Sequence, residues 1–312
     1  MKGEHFLSVT DLSAGEIRSL ISDATANKNK WVPLLKNKTL ALLFEKPSLR
    51  TRVSFEMAMR QLGGQAIYLS PAEVGLGGRE SVPDVARVLG RYVDAIAART
   101  FSHKTVKTLA EYAGVPVINA LSDHEHPCQA LADLTTIYEK KGELKGVTLA
   151  FIGDGNNVAN SLMLASALTG MNIRIASPAG YTVKDSIVRQ AQKYAKSSGA
   201  EIILTTKPRE AVKGADIVYT DVWASMGQEA EAEKRRKAFA GFRVDKKLLS
   251  LAKKDAIFMH DLPAHRGEEV TDEVMESPQS VAFDQAENRL HAQKALLAQM
   301  VGKPSKPSAR RK

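Results

Sequence analysis

Residues 39–44, Thr39-Leu40-Ala41-Leu42-Leu43-Phe44, form a run whose alternating positions are apolar on both faces. A strand of this kind is buried on both sides, which is the condition of a parallel sheet covered by helices. Parallel neighbours cannot be joined by a tight turn, so a helical crossover must follow. The sequence supplies one: the run breaks at Pro47, and Val53 to Leu62 places Phe55, Met59 and Leu62 on one side. The same alternation recurs along the chain. Strands are expected near 65–69, 94–98 and 116–118, with helices near 13–27, 50–62, 82–92, 103–113 and 127–140. A polar stretch, 139–146, reads as a hinge, after which strands are expected near 147–152, 172–176, 201–205, 216–220, 256–260 and 280–283, before a final helix near 285–301. The pattern predicts an α/β protein of two doubly wound parallel-sheet domains with a ligand cleft between them. The expected domains are 1–142, with the last helix packing back on it, and 146–283.

Composition narrows the function classes. The 312 residues are 44% hydrophobic and 25% charged, as in soluble globular proteins. No apolar run approaches the roughly 20 residues that span a bilayer, so no membrane association is expected. The start, Met1-Lys2-Gly3-Glu4-His5, lacks a signal peptide's apolar core. A single cysteine, Cys128, permits neither an internal disulfide nor a cysteine-based zinc cluster. These features predict a cytoplasmic protein. The net charge of +9 suggests nucleic acid, but five basic residues lie in the tail from Lys303 to Lys312, and without them the charge is +4. That tail is expected to be disordered, and nucleic acid is not an expected partner.

The segments that carry chemistry sit at strand ends. After the first strand, Ser48-Leu49-Arg50-Thr51-Arg52 opens a helix. Its N–H groups, the positive helix end, two hydroxyls and a guanidinium suit an anion. Arg50 and Arg52, two apart, face different ways, so Arg50 is expected to bind and Arg52 to brace. A capped helix with surface arginines fits these residues alone equally well. Ile152-Gly153-Asp154-Gly155-Asn156-Asn157-Val158 resembles a dinucleotide turn but has Val158 for the third glycine. The end of the next strand, Ala176-Ser177-Pro178-Ala179, has no acid. No nucleotide phosphate-binding motif occurs, and no cofactor is expected. His124-Glu125-His126-Pro127-Cys128-Gln129 precedes a helix. The two histidines lack a third ligand at metal spacing, so no metal is expected, and His126 with Gln129 suits a small polar carbonyl group. Asp221 and Ser225 leave another strand, and His260-Asp261-Leu262-Pro263 a further one. Arg289 lies about one turn into the last helix.

Taken in order, SLRTR at 48–52, HPCQ at 126–129, DVWASMG at 221–227, HDLPAHRGEE at 260–269 and FDQAENRLHAQKA at 283–295 resemble the aspartate/ornithine carbamoyltransferase family, and FIGDGNN with DVWASMG resembles its ornithine branch. The resemblance implies transfer of the carbamoyl group of carbamoyl phosphate to the δ-amine of L-ornithine. The products would be L-citrulline and phosphate, in arginine biosynthesis. It implies that 1–142 binds carbamoyl phosphate and 146–283 ornithine. By matching positions, Ser48, Leu49, Arg50, Thr51 and Arg99 would hold the phosphate. His126, Gln129 and Arg289 would hold the carbamoyl group, with the backbone at Asp261 and Leu262 accepting from its nitrogen. Asn157, Asp221, Ser225 and Met226 would hold the amino-acid end of ornithine. Arg50, Thr51, Arg99, His126 and Arg289 form the implied catalytic set, and a homotrimer or a multiple of it is the implied assembly.

Two positions depart from that pattern. The ornithine branch usually has Cys where this chain has Asp261. The loop Gly75-Leu76-Gly77-Gly78-Arg79-Glu80-Ser81 has Gly75 where the family often reaches a neighbouring subunit through Gln, and Arg79 is a possible substitute. A carboxylate at 261 predicts ornithine activity with an altered pH dependence, and it keeps open an alternative acceptor such as an acylated ornithine, putrescine or a related diamine.

Overall fold

A computed structural model of the chain describes residues 1–302 apart from 2, 77 and 225–228. Ser225, Met226 and the basic tail 303–312 therefore lie outside the described residues. The chain divides into two compact units, one of Met1–Thr135 with the stretch from Asn288 onward, the other of Thr136–Glu287.

In the first unit the elements are α1 (Ala14–Ala26), β1 (Thr39–Phe44), α2 (Leu49–Gln61), β2 (Gln65–Leu69), α3 (Pro71–Val74), α4 (Val82–Tyr92), β3 (Ala95–Arg99), α5 (His103–Ala113), β4 (Val117–Leu121) and the start of α6 (Pro127–Lys141). The four strands are parallel in the order β2-β1-β3-β4. The chain steps from β1 outward to β2 and then returns to the other side of β1 as β3. The strand order thus reverses between β1 and β3, and a crevice opens at their carboxyl ends. Burial explains the strands: Leu40 to Phe44 and Ala95 to Ala98 are all buried. On one side of this sheet the core gathers Ala41, Leu43, Ile96 and Ala98 against Ala86, Val106, Leu109 and Ala113.

The second unit continues with β5 (Thr148–Ile152), α7 (Asn157–Thr169), β6 (Asn172–Ala176), α8 (Asp185–Ser198), β7 (Ile202–Thr205), α9 (Pro208–Val212), β8 (Ile217–Thr220), α10 (Ala232–Ala238), α11 (Lys246–Leu249), β9 (Ile257–His260), α12 (Asp272–Met275) and α13 (Ala282–Val301). Its five parallel strands run β7-β6-β5-β8-β9, so the order reverses between β5 and β8. Trp223, Phe239, Phe242 and Phe258 anchor the core on one side of this sheet.

One expected element is corrected. Residues 280–283 are not a strand: Ser280 makes an isolated bridge to Phe258, and α13 begins at Ala282. The apolar trio Val281-Ala282-Phe283 looked like a short strand, but Gln285 already donates its N–H to the Val281 carbonyl, as a helix requires. Helix α13 enters the first unit at Asn288. There the buried Lys294 ammonium donates to the carbonyls of Asn27 and Lys30 and to Gln61 Oε1, at 2.7, 3.1 and 2.8 Å. Burial lowers its pKa.

Candidate active site

Strands β1 and β3 end in register, with Phe44 opposite Arg99, so whatever follows each strand meets at the switch point of the first sheet. Two bonds tie the loops together: Glu45 donates its N–H to the Arg99 carbonyl, and Phe101 donates its N–H to Glu45 Oε2. Ser48 is the N-cap of α2, its hydroxyl accepting from the Thr51 N–H at 3.4 Å. An extended N-cap followed by a helical turn places Thr51 inward, and its side chain is fully buried.

Thr51 is the hub of this site. Its Oγ1 accepts from Ser48 Oγ at 3.0 Å, from Arg289 Nη2 and, at the long distance of 3.5 Å, from Arg99 Nη1. An oxygen used this way as an acceptor keeps its own proton to donate outward. Arg99 and Arg289 come from a strand end and the last helix, and both are buried. His126, at the mouth of α6, feels all the neighbouring cations. Its pKa lies well below the ordinary value because of burial first and then Arg289, Arg99, Arg50 and Lys46. At neutral pH it is an uncharged imidazole, able to donate at one nitrogen and accept at the other. Gln129, one turn into α6, gives its Nε2–H to Asp133 Oδ1 at 2.9 Å. Because Asp133 accepts, the amide is oriented with its carbonyl oxygen turned away. That buried oxygen meets no donor among the described residues. The first unit thus gathers cations, hydroxyls and one amide carbonyl, which suits an anion carrying a carbamoyl-like group.

Not every candidate there binds. Arg52 pairs with Glu56 at 2.8 Å and lies over the Tyr68 ring, the bracing role expected of it. Cys128 is buried, its thiol pushed up to about 12, and it points at the Asn119 carbonyl. It is a packing residue, not a nucleophile. Leu49 is exposed, so only its backbone has a place in an anion site.

The second unit repeats the geometry with the opposite charge. Ile152 lies opposite Thr220, and Thr220 opposite His260, so β5, β8 and β9 end side by side. The turn after β5 needs its glycines: Gly153 has φ +153°, and a Cβ on Gly155 would come within 2.2 Å of the Val183 nitrogen. Asn156 caps α7, accepting from the N–H groups of Val158 and Ala159, and passes its Nδ2–H to Asp221 Oδ2 at 2.7 Å. Asp221 also accepts from the Val222 N–H. Asn157, the candidate in this turn, opens α7 and is half-buried. Asn156, outside the implied ornithine-binding set, is the residue that orients Asp221.

One further residue was not legible. Arg235, on α10, reaches Asp154 at 2.7 Å and the Trp223 carbonyl at 2.9 Å, with its guanidinium over the Tyr181 ring. It fastens α10 and Trp223 to the turn after β5. Burial raises the pKa of Asp154, and Arg235 opposes that rise. Past β9, Leu262 donates its N–H to His260 Nδ1 at 2.9 Å, and His260 Nε2 faces Glu269 Oε1 at 3.2 Å. Leu262 holds φ +60°, uncommon for a residue with a side chain, and such backbone collects at functional sites. Asp261 is half-buried beside it. Among the described residues one metal-type group occurs, His265 with Glu268 and Glu269. Its carboxylates already serve the His260 ring, the His265 N–H and Arg236.

One α/β unit ends its strands in cations and hydroxyls, which suit an anionic group, and the other in carboxylates and amides, which suit an amine. Family models agree: the aspartate/ornithine carbamoyltransferase carbamoyl-P binding domain matches residues 4–139, and the Asp/Orn binding domain matches residues 145–300. The chain belongs to the aspartate/ornithine carbamoyltransferase family. It is 55% identical over 307 residues to an ornithine carbamoyltransferase of Anoxybacillus flavithermus, covering 96% of this chain and 98% of that one. It is 55% identical to an anabolic ornithine carbamoyltransferase of Pyrococcus furiosus, covering 97% and 98%. The structure of the Pyrococcus furiosus enzyme superposes with a TM-score of 0.95 at 54% identity, covering 97% and 99%. That from Gloeobacter violaceus gives 0.88 at 48% identity, covering 96% and 99%.

Proposed function

We propose that this protein transfers the carbamoyl group of carbamoyl phosphate to the δ-amine of L-ornithine, giving L-citrulline and phosphate, in arginine biosynthesis. The observation that carries the reading is the convergence of Ser48, Arg99 and Arg289 on Thr51 beside a neutral His126. Curated relatives named ornithine carbamoyltransferase, one of them anabolic, support the acceptor and the direction.

In this reading Ser48, Arg50, Thr51, Arg99 and the backbone of Leu49 hold the phosphate. His126 and Arg289 donate to the carbamoyl oxygen, and the Gln129 carbonyl accepts from the carbamoyl nitrogen together with the backbone at Asp261 and Leu262. Asn157, Asp221, Ser225 and Met226 hold the amino-acid end of ornithine. The amine attacks the carbamoyl carbon, charge builds on its oxygen, and preorganised donors stabilise that charge; one such donor is typically worth about 2.7–4 kcal/mol. The carbon–oxygen bond to phosphate then breaks, and phosphate takes the proton from the newly bonded nitrogen. No covalent enzyme intermediate is required, consistent with the inert Cys128 thiol.

The reading also includes a cytoplasmic homotrimer, or a multiple of it, sharing sites through the 75–81 loop. Among the described residues no helix is long and apolar enough to cross a membrane. A second acceptor class stays in view because Asp261 adds a carboxylate to the acceptor side: an acylated ornithine, putrescine or a related diamine. A colorimetric assay of carbamoylated product across these amines decides between them. Citrulline from ornithine at the highest kcat/KM is expected, and a preference for another amine would replace the acceptor.

A further inference from the structure

Strand β9 ends at His260, which is pinned from two sides within the second unit. Its backbone N–H donates to Gln285 Oε1 of α13 at 2.8 Å, and Gln285 Nε2 donates in turn to the Tyr219 hydroxyl of β8 at 3.0 Å. The ring is fixed as well. Its Nδ1 accepts the Leu262 N–H at 2.9 Å, so the ring's proton sits on Nε2, which donates to Glu269 Oε1 at 3.2 Å. The Asp261 carboxylate lies 3.6 Å from Nδ1, beyond hydrogen-bond distance.

His260 and Glu269 are fully buried. A buried carboxylate is costly unless hydrogen bonds offset the lost water, and Glu269 Oε1 also takes the His265 N–H. One oxygen thus ties the His260 ring to the backbone at His265 and closes the loop 261–264 between them. That loop presents an acceptor. Leu262 holds φ +60°, its N–H is spent on His260, and its carbonyl oxygen receives no donor among the described residues. Pro263 follows, with no N–H of its own. An oriented carbonyl without a partner fits an N–H of a ligand.

We infer that His260 and Glu269 are positioning residues: through the Leu262 backbone they aim this carbonyl at the nitrogen of the carbamoyl group, and so select a carbamoyl donor over an acyl phosphate that has no N–H there. The inference rests on the reading that the Leu262 backbone accepts from the carbamoyl nitrogen, and it assigns the side chains that set that backbone. A site built around a hydrogen bond rejects the analogue that lacks it, because the site's polar group is then left unpaired.

Acetyl phosphate, with a methyl group in place of the carbamoyl nitrogen, is the probe. The full-length enzyme is assayed at saturating L-ornithine for the KM of carbamoyl phosphate and the competitive Ki of acetyl phosphate, in wild type, His260→Leu, Glu269→Ala and Glu269→Gln. With Gln129 and the Leu262 backbone as acceptors worth about tenfold each, the wild-type KM is expected about a hundredfold below that Ki. His260→Leu removes the acceptor of the Leu262 N–H, and Glu269→Ala releases the ring. Each should raise KM for carbamoyl phosphate about tenfold and leave Ki for acetyl phosphate within about twofold of wild type. Glu269→Gln keeps an oxygen for Nε2–H and for the His265 N–H, and should restore most of the ratio lost in Glu269→Ala. Where His260→Leu does not fold, the two Glu269 variants carry the comparison. An equal rise in both constants marks general damage and overturns the proposal, as does a wild-type ratio in His260→Leu or Glu269→Ala. Wild type that forms no citrulline overturns the proposed function itself. Wild type that forms citrulline but binds acetyl phosphate as tightly as carbamoyl phosphate overturns this inference alone.

Discussion

The two sheets solve the same geometric problem with opposite chemistry. In each, the site lies where strand order reverses, but the first ends in buried cations around one hydroxyl and the second in carboxylates oriented by amides. The first is held by direct contacts to Thr51 from the start of α2, from β3 and from the last helix. The second depends on a residue far along the chain, since Arg235 joins Asp154 in the turn after β5 to the Trp223 carbonyl past β8. A site for an anion can be built from fixed donors converging on one point. A site for a flexible amino acid depends on strand-end turns that are fastened to one another.

The largest effect should come from that fastening. Removing one partner of a buried ion pair leaves an uncompensated charge and typically costs about 3–5 kcal/mol. Arg235→Ala should therefore lower stability by an amount of this order in urea unfolding and raise KM for ornithine more than KM for carbamoyl phosphate. Equal effects on the two KM values would erase the difference drawn between the units. Next is the donor set of the first unit. Arg289→Ala should reduce kcat by about 10²–10³, equivalent to about 2.7–4 kcal/mol of transition-state stabilisation, by stopped assay at saturating substrates. A change confined to KM would make Arg289 a ground-state contact only.

The smallest effect is on acid stability. His103 has its pKa lowered to about 4 by burial first and then by His124 and Lys107. A histidine with a folded pKa below its unfolded value contributes stability that is present above pH 6.5 and is lost as the pH falls through the folded value. Wild type should lose thermal stability between pH 6.5 and about 4, and His103→Asn should lose less over that window. Identical pH profiles would remove His103 from the account.

Much of the fold was visible in the sequence because buried parallel strands are apolar on both faces. Residues 39–44 and 65–69 read directly, and the first, fourth and fifth expected helices appear as Ala14–Ala26, His103–Ala113 and the helix from Pro127. The exception, 280–283, is instructive: three apolar residues do not distinguish a strand from the first turn of a helix. The strand-end positions of Ser48, Thr51, Asp221 and Asp261 were legible for the same reason, since a motif following an apolar run lands at a carboxyl end, whereas Arg99 came from the family resemblance alone. Arg235 and Asn156 were not. Arg235 pairs with a residue 81 positions away, and nothing local marks it. Asn156 and Asn157 are adjacent, and only the capping geometry shows which one turns to Asp221.

The most direct test of a cationic donor site working with an acceptor site of carboxylates and amides is the ratio of citrulline formed to phosphate released by the full-length enzyme. The ratio should be measured with L-ornithine and again with a monoamine of equal length. The account predicts one citrulline per phosphate with ornithine and almost no phosphate release with the monoamine. Phosphate released without citrulline, or equal turnover of the monoamine, would contradict it.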